Sequence, residues 1–403
     1  MTTRHLRLGE AISVKHGFAF PGELFSEEEK FPTLVTPGNF AIGGGFQTTR
    51  PKTFAGDIPA GYELDAGDLI LTMTDLSRNV DTLGLPAVVP TGARYLHNQR
   101  IGKVLIKRPD LLRQDFLAYY LRTSVYRNHI VGTASGSTVR HTSPSRIEDF
   151  VATIPDVREQ RAIAEVLGAL DDKIVANTKI SATALELAHT NFHRAVLSAS
   201  FNGSTFADLA TVGGGGTPST KVSDYWDGTI PWATPTDVTG LAGPYLESTS
   251  RCITAEGLSS CASSLYRSGT ILMTSRATIG AFAIAQVDTA VNQGFIAVQP
   301  LDPTLKYWLF HEMRDRVDEF ISMANGATFL ELGRGNFKKF EVRLADQQTM
   351  SEFARSAESL HAVAREALRQ NQALSSTRDA LLPQLMSGKL RVKDAATLVS
   401  DIV

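Results

Sequence analysis

Two stretches of this chain carry residue types that could do chemistry. Pro155-Asp156, followed by Asp171-Asp172-Lys173, matches the wording of a metal-dependent nuclease motif. If these carboxylates share one helix, they stand roughly 22 Å apart along its axis, too far to share a metal ion. A helix cap and a charged outer face account for them better. Gly213 to Gly216 could cradle a phosphate, but Thr217-Pro218 follows, without the strand-to-helix plan of a phosphate loop. A tight or flexible turn is the simpler reading. The two cysteines, Cys252 and Cys261, cannot form a disulfide framework or a zinc site by themselves. Free buried thiols and a cytoplasmic location are expected. No catalytic constellation and no metal site is expected in this chain.

Composition narrows the rest. At 403 residues, two or three domains are expected, each able to bury its own core. Apolar content of 43% and charged content of 20% fit a soluble globular protein. No run of about 18 apolar residues is present, so no membrane span is expected. Met1 to Glu10 has no signal-peptide core. The net charge is −2, and residues 1–155, with 17 basic and 15 acidic side chains, are the most basic stretch. A DNA-binding role therefore requires basic residues gathered on one face, or a partner that shares the phosphate contacts.

The elements that would position any site are written twice. Gly67-Asp68-Leu69-Ile70-Leu71-Thr72 reads against Gly269-Thr270-Ile271-Leu272-Met273-Thr274. Asn98-Gln99 reads against Asn292-Gln293, and Ala134 to Thr138 against Ala324 to Thr328, in the same order. Such a repeat fixes architecture before any local reading. Residues 1–155 and 204–345 read as two mixed α/β units with strand-like runs at Leu69-Ile70-Leu71, Ala87-Val88-Val89 and Val104-Leu105-Ile106. Helical spacing is expected over Asp115 to Arg127 and again over Lys306 to Ile321, and a loop over Gly132 to Ser145.

Between and after the units the pattern changes. Ile163, Leu167, Leu170 and Ile174 repeat at heptad spacing, as do Phe353, Ala357, Leu360, Ala364 and Ala367. Asp156 with Glu159 is a capping-box pattern, and Asp346 can cap the second helix. Residues 156–203 are expected to form a central spacer helix, and 346–403 a second helix and tail. Apolar stripes avoid water by pairing, so the two helices are expected to pack antiparallel as a coiled coil between the units. Asn177 and Asn371 fall on the seams, where polar residues fix register or mark a solvated stretch. The fold class is thus α+β, with two similar recognition units, two long helices and an approximate two-fold.

This order resembles the specificity subunit of type I restriction-modification systems. The resemblance is carried by Pro155, Glu159-Gln160 and Asp172-Lys173-Ile174 in the central helix. Gly215-Gly216-Thr217-Pro218-Ser219, Tyr225-Trp226 and Ile230-Pro231-Trp232 resemble the start of a target-recognition domain. Leu381-Leu382-Pro383-Gln384-Leu385-Met386-Ser387-Gly388-Lys389-Leu390 resembles the family's ending. The first unit departs from the glycine signature and has Gly17-Phe18-Ala19-Phe20 instead; the second helix lacks the Glu-Gln pair in register.

The resemblance implies a subunit without chemistry of its own. It would read a split site on double-stranded DNA, one half per unit, and bind DNA methyltransferase subunits, two in number, and motor-nuclease subunits. S-adenosylmethionine, ATP and magnesium would belong to those partners. Glu159, Gln160, Asp172 and Lys173 are the expected partner-binding residues. A stand-alone methyltransferase would carry an Asn/Asp-Pro-Pro-aromatic motif, which is missing. The rival readings are a stand-alone nuclease or methyltransferase and a scaffold that touches no nucleic acid; near-neutral charge favours the scaffold slightly.

DNA contacts are expected from turns and strand ends. In the first unit these are Arg78 and Asn79, past a strand, and Arg140 and His141, in the following loop. In the second they are Lys221 and Tyr225, near the glycine-rich loop, with Arg276 and Arg334. Arg78 and Arg276 stand in similar places, which suits a shared DNA contact or a shared structural ion pair equally. Tyr225, Trp226 and Lys221 also suit a folding role, and His141 a plain surface histidine. Asn98-Gln99 and Asn292-Gln293 suit adenine readout, an inherited turn or a buried hydrogen-bond role.

Overall fold

The computed structural model describes residues 3–48, 52–325, 330–400 and 402. The chain divides into two compact units. One comprises Met1–Lys173 with Leu374–Val403, the other Ile174–Ala373. Each unit therefore holds one globular region and a stretch of both long helices.

In the first unit, Thr3–Arg7 pairs antiparallel with Val151–Pro155 and ties the start of the globular region to its end. A sheet follows in the order Ile12–His16, Ile101–Ile106, Leu69–Thr72, Pro86–Val88. The second unit repeats the plan. Ser200–Thr205 pairs with Glu341–Leu344. Its sheet runs Ala210–Gly213, Phe295–Pro300, Ile271–Arg276, Thr278–Ala285, with Tyr245–Leu246 added at the edge. The first four strands of both sheets thus keep one order. The matched apolar runs Leu69-Ile70-Leu71 and Ile271-Leu272-Met273 form central strands because both sheet faces are covered. Ile271 and Met273 enter a core with Trp308 and Phe310, while Leu272 enters another with Ala283 and Val291.

The expected helix over Asp115 to Arg127 is two helices, Gln114–Tyr120 and Ser124–Thr133. The Thr123 hydroxyl donates to the Tyr120 carbonyl at 2.7 Å, where the first helix ends. Its counterpart is also broken, into Lys306–Asp315 and Val317–Ser322. The expected loop over Gly132 to Ser145 contains a short strand, Arg140–His141, and the start of the helix Pro144–Glu148. Of the third repeat match, Gly326, Ala327 and Thr328 lie outside the described residues.

The long helices span Val157–Val196 and Gln347–Met386. Each is about 60 Å long at 1.5 Å per residue. Asp156 accepts from the Glu159 amide at 3.0 Å, and Asp346 from the Thr349 amide at 2.9 Å, so both helices start where their caps place them. The central helix ends at Val196; of the residues expected as its end, 200–203 lie in the strand Ser200–Thr205.

Within each unit the helix segments pack antiparallel. In the first, Arg378 reaches Asp171 at 2.6 Å. In the second, Asn177 donates to Gln370 at 3.1 Å and Asn191 to Ser356 at 3.0 Å. Asn177 is buried, and Asn371 donates to the Ile174 carbonyl and to Thr178, so these seam amides pin the register. Among the described residues, no helix is long and apolar enough to cross a membrane.

Candidate nucleic-acid interface

Both units build one recurring turn. Asn98 accepts from the Arg100 amide at 2.9 Å, and Asn292 from the Gly294 amide at 2.8 Å. The side-chain oxygen of each asparagine closes its own turn, so both asparagines have a turn role. A glycine lies against each turn. A Cβ on Gly17 would stand 2.0 Å from the Asn98 carbonyl oxygen, and one on Gly215 1.7 Å from that of Val291. Only glycine fits at either place. Gly17 is therefore the spatial counterpart of the glycine signature in the second unit. The turns leave Gln99, Arg100 and Gln293 exposed.

In the first unit, Arg140–His141 pairs with Thr74–Asp75, and the turn after Asp75 carries Arg78 and Asn79. This pairing brings four of the expected DNA-contacting residues to one edge. Asp75 organises the turn by accepting from the amides of Ser77, Thr82 and Leu83 and from the Thr82 hydroxyl. Burial pushes its carboxyl up, and the hydrogen bonds from Ser77 and Thr82 outweigh this and hold it below its usual range. Arg78, Asn79 and His141 are exposed, and Arg140 is half-buried. Neither Arg78 nor Arg140 has an ion-pair partner among the described residues.

In the second unit, the glycine-rich loop is held by its aromatic neighbours. Trp226 donates to the Ser219 carbonyl at 3.1 Å, Trp232 to that of Gly216 at 3.0 Å, and Tyr266 to that of Gly214 at 2.6 Å. The two tryptophans meet edge to face at 5.2 Å. Tyr225 is half-buried against the same cluster. Lys221 is exposed on the turn before them. Arg334 is exposed and its side chain lies over Gly214, where an added Cβ would come within 2.8 Å of it. Thr217 donates to Gln293 at 2.7 Å. Gln293, Asn292 and Arg276 line one shallow pocket with Pro235 and Thr236.

Arg276 forms an ion pair with Glu331 at 2.8 Å, with both side chains more than 40% exposed. Such a pair contributes about 0–1 kcal/mol, so exchange for a phosphate costs little. The expected equivalence of Arg276 and Arg78 does not hold. Arg276 bridges to Glu331 where Thr74 pairs with His141, so Thr74 is its structural counterpart. Thr74 meets His141 side chain to side chain at 3.2 Å. One cross-strand position thus carries a hydrogen bond in one unit and an ion pair in the other.

The expected partner surface is only partly exposed. Gln160 is fully buried. It accepts from the Arg113 amide and donates to the carbonyls of Leu111 and Pro155, each at 2.9 Å. Its amide joins the helix start to the globular region, so it is not a surface contact. Glu159 and Lys173 are half-buried, and Asp172 is exposed. Asp156 is the cap and Asp171 is paired with Arg378, which accounts for both carboxylates of the nuclease-like text. Arg100 and Thr217 also stand at these turns, and the sequence signal for each is adjacency, one to Asn98-Gln99 and the other to the glycines.

Comparison with known proteins places these features. The family described as "Type I restriction modification DNA specificity domain" matches residues 7–186 and 201–360, one copy per globular region. The MjaIX specificity subunit of Methanocaldococcus jannaschii, a type I restriction enzyme component, is 37% identical over 137 residues, 34% of this chain and 32% of that protein. The EcoBI specificity subunit of Escherichia coli is 25% identical over 198 residues, 49% of this chain and 38% of that protein. The matched stretches therefore span only about a third of the length of these relatives. A solved S subunit of a type I restriction-modification system from M. genitalium has the same fold, with a TM-score of 0.59, 13% identity and 96% of each chain covered.

Proposed function

Because the chain belongs to the family of type I restriction-modification DNA specificity domains, we propose that it reads a two-part DNA site, one part per unit. The observation that carries this reading is the repeated turn of Asn98 and Asn292 beside a glycine strand end, with exposed polar and basic residues around each copy. Arg78, Asn79, Arg100 and Arg140 would serve one half-site. Arg276, Gln293, Arg334 and Lys221 would serve the other. Arginine and lysine supply phosphate contacts, and the amides and arginines can read base edges from turns.

The chain supplies no chemistry in this reading. It positions DNA methyltransferase subunits, two in number, which use S-adenosylmethionine. Motor-nuclease subunits using ATP and magnesium join for cleavage. Glu159, Asp172 and Lys173 are the surface of the central helix offered to these partners, and Gln160 supports it from inside. Near-neutral charge fits this arrangement, since the partners share the phosphate contacts.

The test is a genomic map of methylated adenines in a host that expresses the chain with its methyltransferase, with and without this gene. A split motif that disappears with the gene supports the reading. A methylation pattern that does not change contradicts it.

A further inference from the structure

The second unit contains a row of side chains that DNA reading does not use. His193 and His189 lie one turn apart on the central helix, with their Nε2 atoms 3.0 Å apart. His193 Nε2 is also 3.0 Å from Asp315 Oδ1. His189 Nδ1 meets His311 Nδ1 at 3.2 Å, and His311 Nε2 meets His361 Nε2 at 3.1 Å. The row ends at Tyr245, whose hydroxyl lies 2.9 Å from His361 Nδ1 and donates to the His361 carbonyl at 2.9 Å.

Counting protons along the row gives it a direction. The Tyr245 proton goes to the carbonyl, so His361 Nδ1 carries a hydrogen and donates to the hydroxyl. His361 Nε2 is then a lone pair and accepts from His311 Nε2. His311 Nδ1 accepts in turn from His189 Nδ1. This leaves the His189 Nε2 lone pair aimed at His193 and Asp315. His193 Nε2 has one hydrogen at most and faces two acceptors, so a hydrogen bond to Asp315 leaves His189 without a donor. Three electron-pair donors converge on one point, all within 4.8 Å of one another.

We propose that His189, His193 and Asp315 bind a divalent transition metal ion of the zinc class. Zinc bonds of about 2.0–2.2 Å place tetrahedral donors roughly 3.3 Å apart, close to the two 3.0 Å contacts. Two imidazoles and one carboxylate suit Zn²⁺, Ni²⁺ or Co²⁺ better than Mg²⁺ or Ca²⁺. The outer shell is in place. His311 fixes the tautomer of His189, and Arg343 donates to Asp315 Oδ2 at 2.6 Å, leaving Oδ1 to the ion. His193 is exposed, so a water completes the coordination. The ion would clip the end of the central helix to the helix Lys306–Asp315. Among the described residues, the other unit holds no such group of three donors.

The test uses the full, tag-free chain, stripped with a chelator and titrated with Co²⁺ while its visible absorption is followed, then with competing Zn²⁺. One ion per chain with a low-symmetry cobalt spectrum is the expected result, together with a rise in the melting temperature of the second unit. His193→Ala, at an exposed position, should weaken binding by at least about tenfold, the lower bound for losing a supporting partner. Asp315→Asn should weaken it similarly. His16→Ala, an exposed histidine in the other unit, should leave it unchanged. Absence of stoichiometric cobalt binding, or binding that survives His193→Ala unchanged, overturns the proposal.

Discussion

The two units solve one packing problem with opposite chemistry. Asp171 and His361 are each the fifteenth residue of a long helix, and Tyr119 and His311 are each the sixth of the helix that meets it. In the first unit, Tyr119 donates to Asp171 at 2.7 Å and Arg378 binds the same carboxylate at 2.6 Å. In the second, the same places hold His311 and His361, with His189 next in line. Charge thus joins helix to globular region in one unit, and neutral imidazoles do so in the other. Burial first, then neighbouring charges, holds His311 at about 2 and His361 at about 3. Tyr119 is driven the other way, above its ordinary value, by burial and by the Asp171 carboxylate beside it. A duplicated fold therefore fixes where a cross-link must be and leaves open what makes it.

The largest expected effect that separates the two solutions is Asp171→Ala. It leaves the Arg122 guanidinium, only 12% exposed, without its ion-pair partner, and Arg378, 20% exposed, with Asp379 alone. Loss of a buried ionic partner should cost about 2–4 kcal/mol in urea unfolding. A change below about 1 kcal/mol would show that the first unit does not depend on its charged node.

Next is the fourth residue of each long helix, Gln160 in one and Met350 in the other. Gln160→Ala leaves the Arg113 amide and two carbonyls without partners and should cost about 2–3 kcal/mol. Met350→Ala, at a half-buried apolar site, should cost about 1 kcal/mol. Equal costs would remove this distinction between the helix starts.

Acid should separate the units by a similar amount, because the second holds two deeply buried imidazoles, His311 and His361, and the first holds one, His97, kept at about 4 by burial. His361 is neutral in the folded state down to about pH 3, while the unfolded chain takes a proton below about 6.5. His311, held at about 2, behaves alike, so the contribution of this pair is flat above that pH and falls by about 2.7 kcal/mol per pH unit below it. A loss of about 4 kcal/mol from this pair is expected by pH 5, measured with chelator present, and His361→Gln should roughly halve it. A wild-type profile that stays flat from pH 7 to 5 would contradict the buried-imidazole account.

The smallest effect concerns the cross-strand position shared by Thr74 and Arg276. Glu331→Ala should change stability by less than about 0.5 kcal/mol, because its ion pair is solvated. Arg276→Ala should weaken DNA binding by the assembled complex and reduce its salt dependence. If Glu331→Ala unfolds the second unit and Arg276→Ala leaves DNA affinity intact, Arg276 is a structural residue.

Much of this was legible in the residues because the signals were local. Asp156 and Asp346 mark the helix starts, and the heptads mark the buried faces. The doubled Asn-Gln pair marks the recurring turn, since a side chain bonded to the amide two residues on needs only sequence neighbours. Pairings between distant residues were not legible. The strand Ser200–Thr205 is short, polar and mostly exposed, and only Glu341–Leu344 makes it a strand. Arg78 looked equivalent to Arg276 until strand pairing put Thr74 in that place. Gln160 looked like a surface residue because a polar side chain at a helix start usually is. The imidazole row draws on separate helices and on Tyr245, and only the His189 and His193 spacing could have hinted at it.

The central claim is that one chain carries two independent readers. Its most direct test replaces residues 1–155 with the matching unit of another family member and maps methylated adenines in a host with no other such system. The account predicts that one half of the split motif changes and the other half is kept. A motif that changes in both halves, or in neither, contradicts it.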